Sequence, residues 1–315
     1  LMIPPGRLGN GVPLTGNEVS GQFTVKGTRF DLVGDLPPVR ESDGWVEFEG
    51  TDVFVGLTNG VAYLPSGRVV RTGGGTMELK AAHLRPRIGK LAIDVSGEAA
   101  AVAEFASLKP IRASFLDLKP DDFSGQVSGH IAADVPLHEG IPAETLNWDV
   151  ELAYDQLALA RPVEGQEIKA ATGTMLLNKT RAQLSGEAEL NGVPAKLELL
   201  EPLGQSKAER QRHIELEVTD AQRERLFPGL GTLVSGPMQV KYEQGSTKER
   251  RISVDLGKSQ LSVPWIGWQK GSGIPAKASF ILTEKDGQTE LADFKLQGES
   301  FGLAGNIVLA KGRLQ

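Results

Sequence analysis

The sequence contains no cysteine, which excludes disulfides, zinc–thiolate and iron–sulfur centres and thiol catalysis, and leaves the redox compartment unreadable. Aromatic residues make up only 6% of the chain, and there are four histidines: His83, His130, His138 and His213. No two of them stand at i, i+2 or i, i+4, so none of the usual metal or triad spacings arises. No run reaches the ~18 apolar residues of a membrane-spanning helix, and Leu1-Met2-Ile3-Pro4-Pro5 lacks the basic and apolar regions of a signal peptide. Basic charge is also in deficit. Lys and Arg number 34 against 40 Asp and Glu, a net charge of -6, which argues against binding a phosphate backbone. The 315 residues therefore read as a segment of a larger protein whose targeting or anchoring elements lie outside it.

Catalytic signatures are missing as well. There is no G-x-S-x-G elbow, no P-loop and no H-E-x-x-H helix. Gly73-Gly74-Gly75 is followed by no helical pattern and no suitably spaced Lys, so it reads as a hairpin turn or bulge. Gly229-Leu230-Gly231 follows a predicted helix rather than a strand, the wrong order for a dinucleotide fingerprint. Asp117, Asp121 and Asp122 flank Pro120 and read as solvated caps rather than an acid/base pair. Asn178-Lys179-Thr180 has the form of a glycosylation sequon, a triplet that recurs by chance. No enzyme activity, metal or cofactor is expected from these residues.

What the chain does contain is 38 glycines and a period-2 alternation of apolar and polar residues through most of its length. Val127, Ile131, Ala133, Val135 and Leu137 share one parity, as do Leu146, Trp148, Val150, Leu152 and Tyr154, and polar Asn147, Asp149 and Glu151 fall between the latter. Such alternation marks strands with one buried and one wet face, the antiparallel pattern. Asp43-Gly44, Asn59-Gly60, Ser66-Gly67, Asn191-Gly192 and Asp286-Gly287 are of the type found in tight hairpin turns. Two short helices are predicted, over 98–108 and 220–227. The first is Ala-rich and stopped by Pro110; the second is capped by Thr219 or Asp220 and ended by Pro228-Gly229. Glycine also opens alternating stretches at Ser124-Gly125, Ser185-Gly186 and Ser235-Gly236, without a strict period.

The expected fold is all-β, a long curled antiparallel meander sheet forming an open hydrophobic, taco-like groove with one or two short helices. It is read as one elongated segment over 1–315 with a possible subdivision near 117–123. About twenty strands of ~5 to 6 residues, spaced about 4.8 Å apart, would span roughly 95 Å. A sheet of that extent with a bare apolar side must close, fold into a sandwich, or curl around something apolar. Helices to cover it are scarce, and the low aromatic content gives little bulk for a sandwich core.

Several segments carry a resemblance. Asp35-Leu36-Pro37-Pro38-Val39-Arg40 leading into Asp43-Gly44-Trp45-Val46-Glu47-Phe48, then Leu226-Phe227-Pro228-Gly229, Val254-Asp255-Leu256-Gly257-Lys258-Ser259-Gln260-Leu261 and Pro264-Trp265-Ile266-Gly267-Trp268-Gln269-Lys270-Gly271 resemble the repetitive region of AsmA-like envelope proteins, specifically the YhdP branch. That resemblance implies a periplasmic β-groove of the bridge-like lipid-transfer type, tethered to the inner membrane by an N-terminal helix absent from this segment. It implies conduction of phospholipid acyl chains between inner and outer membranes, with phospholipid and the two membranes as partners. Candidate groove-lining positions are Val127, Ile131, Val135, Trp148, Val150, Leu152, Leu184, Leu197, Leu216, Val240, Val254, Phe280, Leu303 and Ile307. The alternative is a structural or protein-binding β-sandwich or solenoid scaffold of the envelope, with a dry core. A third reading has Trp265 and Trp268 stacking on sugar rings, against the plainer one of a turn packed on the end of the sheet.

Overall fold

The structure is a computed structural model and describes residues 15, 18–32, 34–109, 111, 113, 117–137, 147–204, 206–226, 230–245, 249–285, 288–310 and 313–314. The chain forms two compact units, Leu1–Arg161 with Thr174–Lys179, and Pro162–Gly173 with Thr180–Gln315. The first contains β1 (Ser20–Phe30), β2 (Val39–Glu49), β3 (Asp52–Tyr63), β4 (Val69–Leu79), β5 (Ile88–Glu98), α1 (Ala99–Ser107), β6 (Phe123–Pro136) and β7 (Trp148–Leu159). β8 (Ile168–Asn178) falls partly in each unit. The second continues with β9 (Arg181–Leu190), β10 (Val193–Pro202), β11 (Gln211–Val218), α2 (Asp220–Leu226), β12 (Val234–Ser235), β13 (Met238–Gln244) and β14 (Arg250–Asp255). It ends with β15 (Gln260–Val263), β16 (Trp268–Lys270), β17 (Ala276–Lys285), β18 (Gln288–Gly298), β19 (Gly302–Ala310) and β20 (Arg313–Leu314).

The fold is mostly β, antiparallel throughout and not closed into a barrel. In the first unit each of β1 to β6 pairs with the next strand in sequence. In the second the ladder runs β9-β10-β11-β13-β14-β17-β18-β19-β20, and β12, β15 and β16 form a separate three-stranded sheet. Among the described residues β1 pairs only with β2 and β20 only with β19. Most ladder strands run to 10–12 residues, as β3 with 12 and β10 with 10 do, about twice the length expected from the sequence.

Turn chemistry explains part of the meander. Asn191-Gly192, with φ of 51° and 72°, joins β9 to β10, the left-handed pair that matches strand twist in a two-residue hairpin. Ser66-Gly67 turns between β3 and β4. Asp43-Gly44 and Asn59-Gly60, in contrast, lie inside β2 and β3. Asp43 accepts hydrogen bonds from the Gly27 N–H at 2.9 Å and the Asn59 amide at 3.3 Å, and its own N–H donates to Asn59 at 3.1 Å. These bonds fasten irregular points of three adjacent strands, so the polar residues serve bulges here. The backbone N–H of Gly27, more than any other partner, holds the Asp43 carboxyl below its ordinary value. The three glycines 73–75 lie within β4 at a register shift between Thr72 and Gly74, a bulge. Asp286-Gly287 lies outside the described residues.

Both helices form where the sequence placed them. α1 begins after Glu98 and buries Ala99, Ala100, Ala101 and Ala103. Small side chains let it approach the sheet closely, over Ala62, Leu64 and Val70. Glu104 ties it to the β3–β4 turn, accepting from the Ser66 N–H at 3.1 Å, from the Ser66 hydroxyl and from Arg68 at 2.9 Å. Burial by itself pushes the Glu104 carboxyl up, but the Ser66 and Arg68 bonds outweigh it and hold it below its ordinary value. α2 starts with half of a capping box, the Thr219 N–H donating to Gln222 Oε1 at 2.9 Å, and the Thr219 carbonyl receives the Arg223 N–H as a first helical bond. Buried Arg223 then joins α2 to the turn at Gly236 through that residue's carbonyl at 3.1 Å.

Candidate functional site: an uncovered apolar sheet face

Residues directly opposite on neighbouring strands point to the same side of a sheet, so the register converts the alternation into rows. In the first unit one row runs Phe23, Val46, Val55, Met77, Leu91, Ala133, Trp148. The next runs Val25, Gly44, Leu57, Gly75, Ile93, Ile131, Val150 across the same seven strands. Neither row contains a charged residue. The opposite face carries Gln22, Glu47, Phe54, Glu78, Lys90 and Asp134 in one row, which is the wet side.

A third row on the apolar face, Phe30, Val39, Ala62, Val70, Gly97, Val127 and Tyr154, has a different environment. Val39, Ala62, Val70, Val127 and Tyr154 are buried there, where α1 packs on β4, β5 and β6. The helix thus covers one end of the face. In the two rows described first, Val46, Val55, Met77, Leu91, Ile93, Ile131, Trp148 and Val150 are only half-buried, and Phe23 is 51% exposed.

The second unit follows the same plan. Ala188, Ala195, Leu216, Val240, Val254, Ala278, Leu296 and Leu303 form one row, and Gly186, Leu197, Ile214, Tyr242, Ile252 and Phe280 form the next. Val193, Val218, Met238, Leu256, Leu261 and Ala276 are buried at one end, with α2 and the small sheet contributing Leu226, Val234 and Trp268 to the packing. Lys270 is buried at this end. Its Nζ donates to the Leu256 and Ser259 carbonyls at 2.6 Å each, and burial pushes its amine below the ordinary value. Leu216, Val240, Val254 and Leu296 pack against this buried cluster, Ala188, Ala195 and Ala278 in the same row are buried, and in the next row Ile214, Tyr242, Ile252 and Phe280 are half-buried. Phe280 stacks on Phe294 at 6.2 Å.

Among the described residues the largest apolar side chain with less than 2% exposure is Val193, at 1%. A dry sandwich core of comparable length would enclose leucines, isoleucines and aromatics to that degree. Away from the covered ends the apolar rows are only partly buried.

All fourteen candidate lining positions lie on the apolar faces, in two separate groups. Val127, Ile131, Val135, Trp148, Val150 and Leu152 sit together on β6 and β7, with Ile131 opposite Val150 and Trp148 opposite Ala133. Leu184, Leu197, Leu216, Val240, Val254, Phe280, Leu303 and Ile307 belong to the second unit. Within each group coverage differs: Val127 and Leu197 are buried, Leu216 packs against the covered cluster, and Leu303 is 60% exposed. Sequence reasoning missed the rows of β1 to β5, because the bulges at Asp43 and Gly74 break the period-2 phase. It also missed Arg212, which shares the apolar face opposite Leu199.

The candidates for other chemistry have structural partners. Asp121 pairs with Arg68, and Asp122 with Arg161 at 2.7 Å. Arg161, ahead of the Lys119 N–H, holds the Asp122 carboxyl below its ordinary value. His130 meets Asp94 at 2.8 Å and His213 meets Glu215 at 3.2 Å, both on the polar face. Trp268 packs edge-on against Phe301 with centroids 4.7 Å apart, as a turn packed on the sheet would. His138 lies outside the described residues. Among the described residues no group of three or more His, Asp and Glu could hold a metal ion, and no helix is long and apolar enough to cross a membrane. No protein-family model, no curated protein and no solved structure matches the chain.

Proposed function

We propose that the uncovered apolar rows bind the acyl chains of phospholipid, without catalysis. The chain would then be a groove segment of an AsmA-like, YhdP-type envelope protein that conducts lipid between inner and outer membranes. In this reading the working location is the periplasm, with tethering supplied by an inner-membrane helix outside the segment. The observation that carries it is the half-buried state of the apolar side chains in the rows away from the two helices, from Val46 and Val55 to Ile131 and Val150 in the first unit and from Ile214 to Phe280 in the second. Exposed contiguous apolar surface of this kind marks an interaction site, and an acyl chain laid on it gains about 0.8 kcal/mol per buried CH₂. The short helices support the same reading, since each covers one end of a face and leaves the rest free. The family resemblance adds the biological setting.

A charge placed in an uncovered row tests this. Val150 lies opposite Ile131 and is half-buried, so Val150→Asp should keep the fold while making the row hostile to acyl chains. Leu216→Asp is a poorer probe because Leu216 packs against the buried cluster of the second unit. Lipid extracted from the purified protein, or retained in native mass spectrometry, should fall severalfold in Val150→Asp. Equal lipid recovery from a folded variant, or none from the wild type, would rule the reading out.

A further inference from the structure

The apolar face of the second unit ends in charge. Moving along β11 from the covered end, Val218, Leu216 and Ile214 are followed by Arg212 on the same face, with Arg210 just ahead of the strand. Arg212 lies opposite Leu199 on β10 and Gln244 on β13, and Gln244 in turn lies opposite Arg250 on β14. Leu216 packs against the covered cluster, so the half-buried row next to Arg212 is that of Ile214, Tyr242, Ile252 and Phe280, about 7 Å from it along the strand. An arginine beside a half-buried apolar row sits where a lipid lying on that row would change from hydrocarbon to headgroup.

The partners of Arg212 divide into one on the neighbouring strand and one on an exposed turn. Glu201, on β10, meets Arg212 Nε at 2.5 Å and Arg210 Nε at 2.7 Å. Glu164 comes from the turn preceding β8, which is closed by the bridge between Val163 and Gln166. It spans the guanidinium edge with both oxygens, at 2.8 Å and 3.2 Å. Its side chain is 63% exposed while that of Arg212 is only 19% exposed. A carboxylate gripping both terminal nitrogens occupies the edge that a phosphate diester would use, because the two groups present the same pair of acceptor oxygens to the fork. With Glu164 in place Arg210 and Arg212 are balanced by Glu201 and Glu164. Once Glu164 swings out, one positive charge remains uncompensated at the end of the apolar rows, enough for a single phosphodiester.

We propose that Arg212 binds the headgroup phosphate of a phospholipid lying on the second unit's apolar face, and that Glu164 occupies the same guanidinium edge until lipid displaces it. This rests on the acyl-chain reading of that face and adds to it a fixed headgroup position, the phosphate at Arg212 and the tails on the half-buried row beside it.

The test compares two probes with identical dioleoyl chains, phosphatidylethanolamine and diacylglycerol, titrated into the 315-residue chain with tryptophan fluorescence or native mass spectrometry as readout. Wild type should prefer the phospholipid. Arg212→Gln should weaken phospholipid binding about tenfold, the scale of a lost charge-assisted hydrogen bond, and leave diacylglycerol binding unchanged. Arg212→Lys, which keeps the charge but not the fork, should recover only part of the loss. Glu164→Gln, a change on an exposed turn that leaves the strands intact, should tighten phospholipid binding severalfold. Excess inorganic phosphate should not compete. The proposal is overturned if Arg212→Gln weakens both probes equally or neither, if Glu164→Gln leaves binding unchanged or weaker, or if inorganic phosphate alone abolishes the preference and so marks a free-anion site. Diacylglycerol binding that persists through any of these failures leaves the acyl-chain reading standing; failure of wild type to bind either probe removes both.

Discussion

At the scale of single residues, this fold depends on positions where the ladder is interrupted. Gly125 at the start of β6 has φ of 105°, and the strand's pairing with β7 shifts register between Ser124 and Gln126. A Cβ built there would stand 2.6 Å from the Gln156 carbonyl and 2.7 Å from Leu157 Cα. Both are backbone atoms that cannot rotate away. Gly125→Ala therefore combines left-handed strain with overpacking, and we expect a loss of about 1–3 kcal/mol of stability. A urea-unfolding midpoint indistinguishable from wild type would contradict this account of the bulge. The same loose glycine pattern holds at Gly236, with φ of 87°, while Gly186 lies in the middle of β9 opposite Leu197.

At the scale of elements, each short helix acts as a cover for one end of a face. α1 carries alanines toward the sheet, so its contribution is close approach rather than bulk, and the larger groups beneath it come from β3, β4 and the turn that joins them. Leu64, 4% exposed, belongs to this covered set, whereas Ile131 in the same unit is half-buried in an uncovered row. Leu64→Ala should cost about 2–5 kcal/mol by the transfer and cavity terms together. Ile131→Ala should cost about half of that or less, since its front is already in water. Equal losses in denaturant unfolding would mean that the two rows are equally covered and that the face is closed.

At the scale of the whole molecule, a half-buried apolar surface is one that a ligand can stabilise by covering it. Anything binding the native rows but not the unfolded chain adds RT ln(1 + [L]/Kd), about 2.7 kcal/mol at a free concentration one hundred times Kd. Phospholipid dispersed below its bilayer-forming concentration should accordingly raise the unfolding midpoint, and Val150→Asp should reduce that rise. A midpoint insensitive to lipid at any concentration would argue for a surface that serves some other end.

Much of the architecture was legible without coordinates because it is local in origin. Period-2 alternation puts Trp148, Val150, Leu152 and Tyr154 on one face whatever surrounds them, Asn-Gly dictates a tight turn at 191–192, and an alanine run beside strands has few alternatives to a helix. Tertiary structure decided what lies outside any short window. Asp43-Gly44 became a bulge because Gly27 and Asn59, 16 residues away on either side, meet that carboxylate. Ala62 and Val70 became buried because Ala101, far along the chain, lies over them, while Val46 and Val55 met no such cover. Arg212 read as one more charge between strands until the register set it opposite Leu199 and the turn before β8 delivered Glu164 to its guanidinium. Alternation specifies which side of the sheet a residue faces; only the packing of segments distant in sequence specifies whether anything lies on that side.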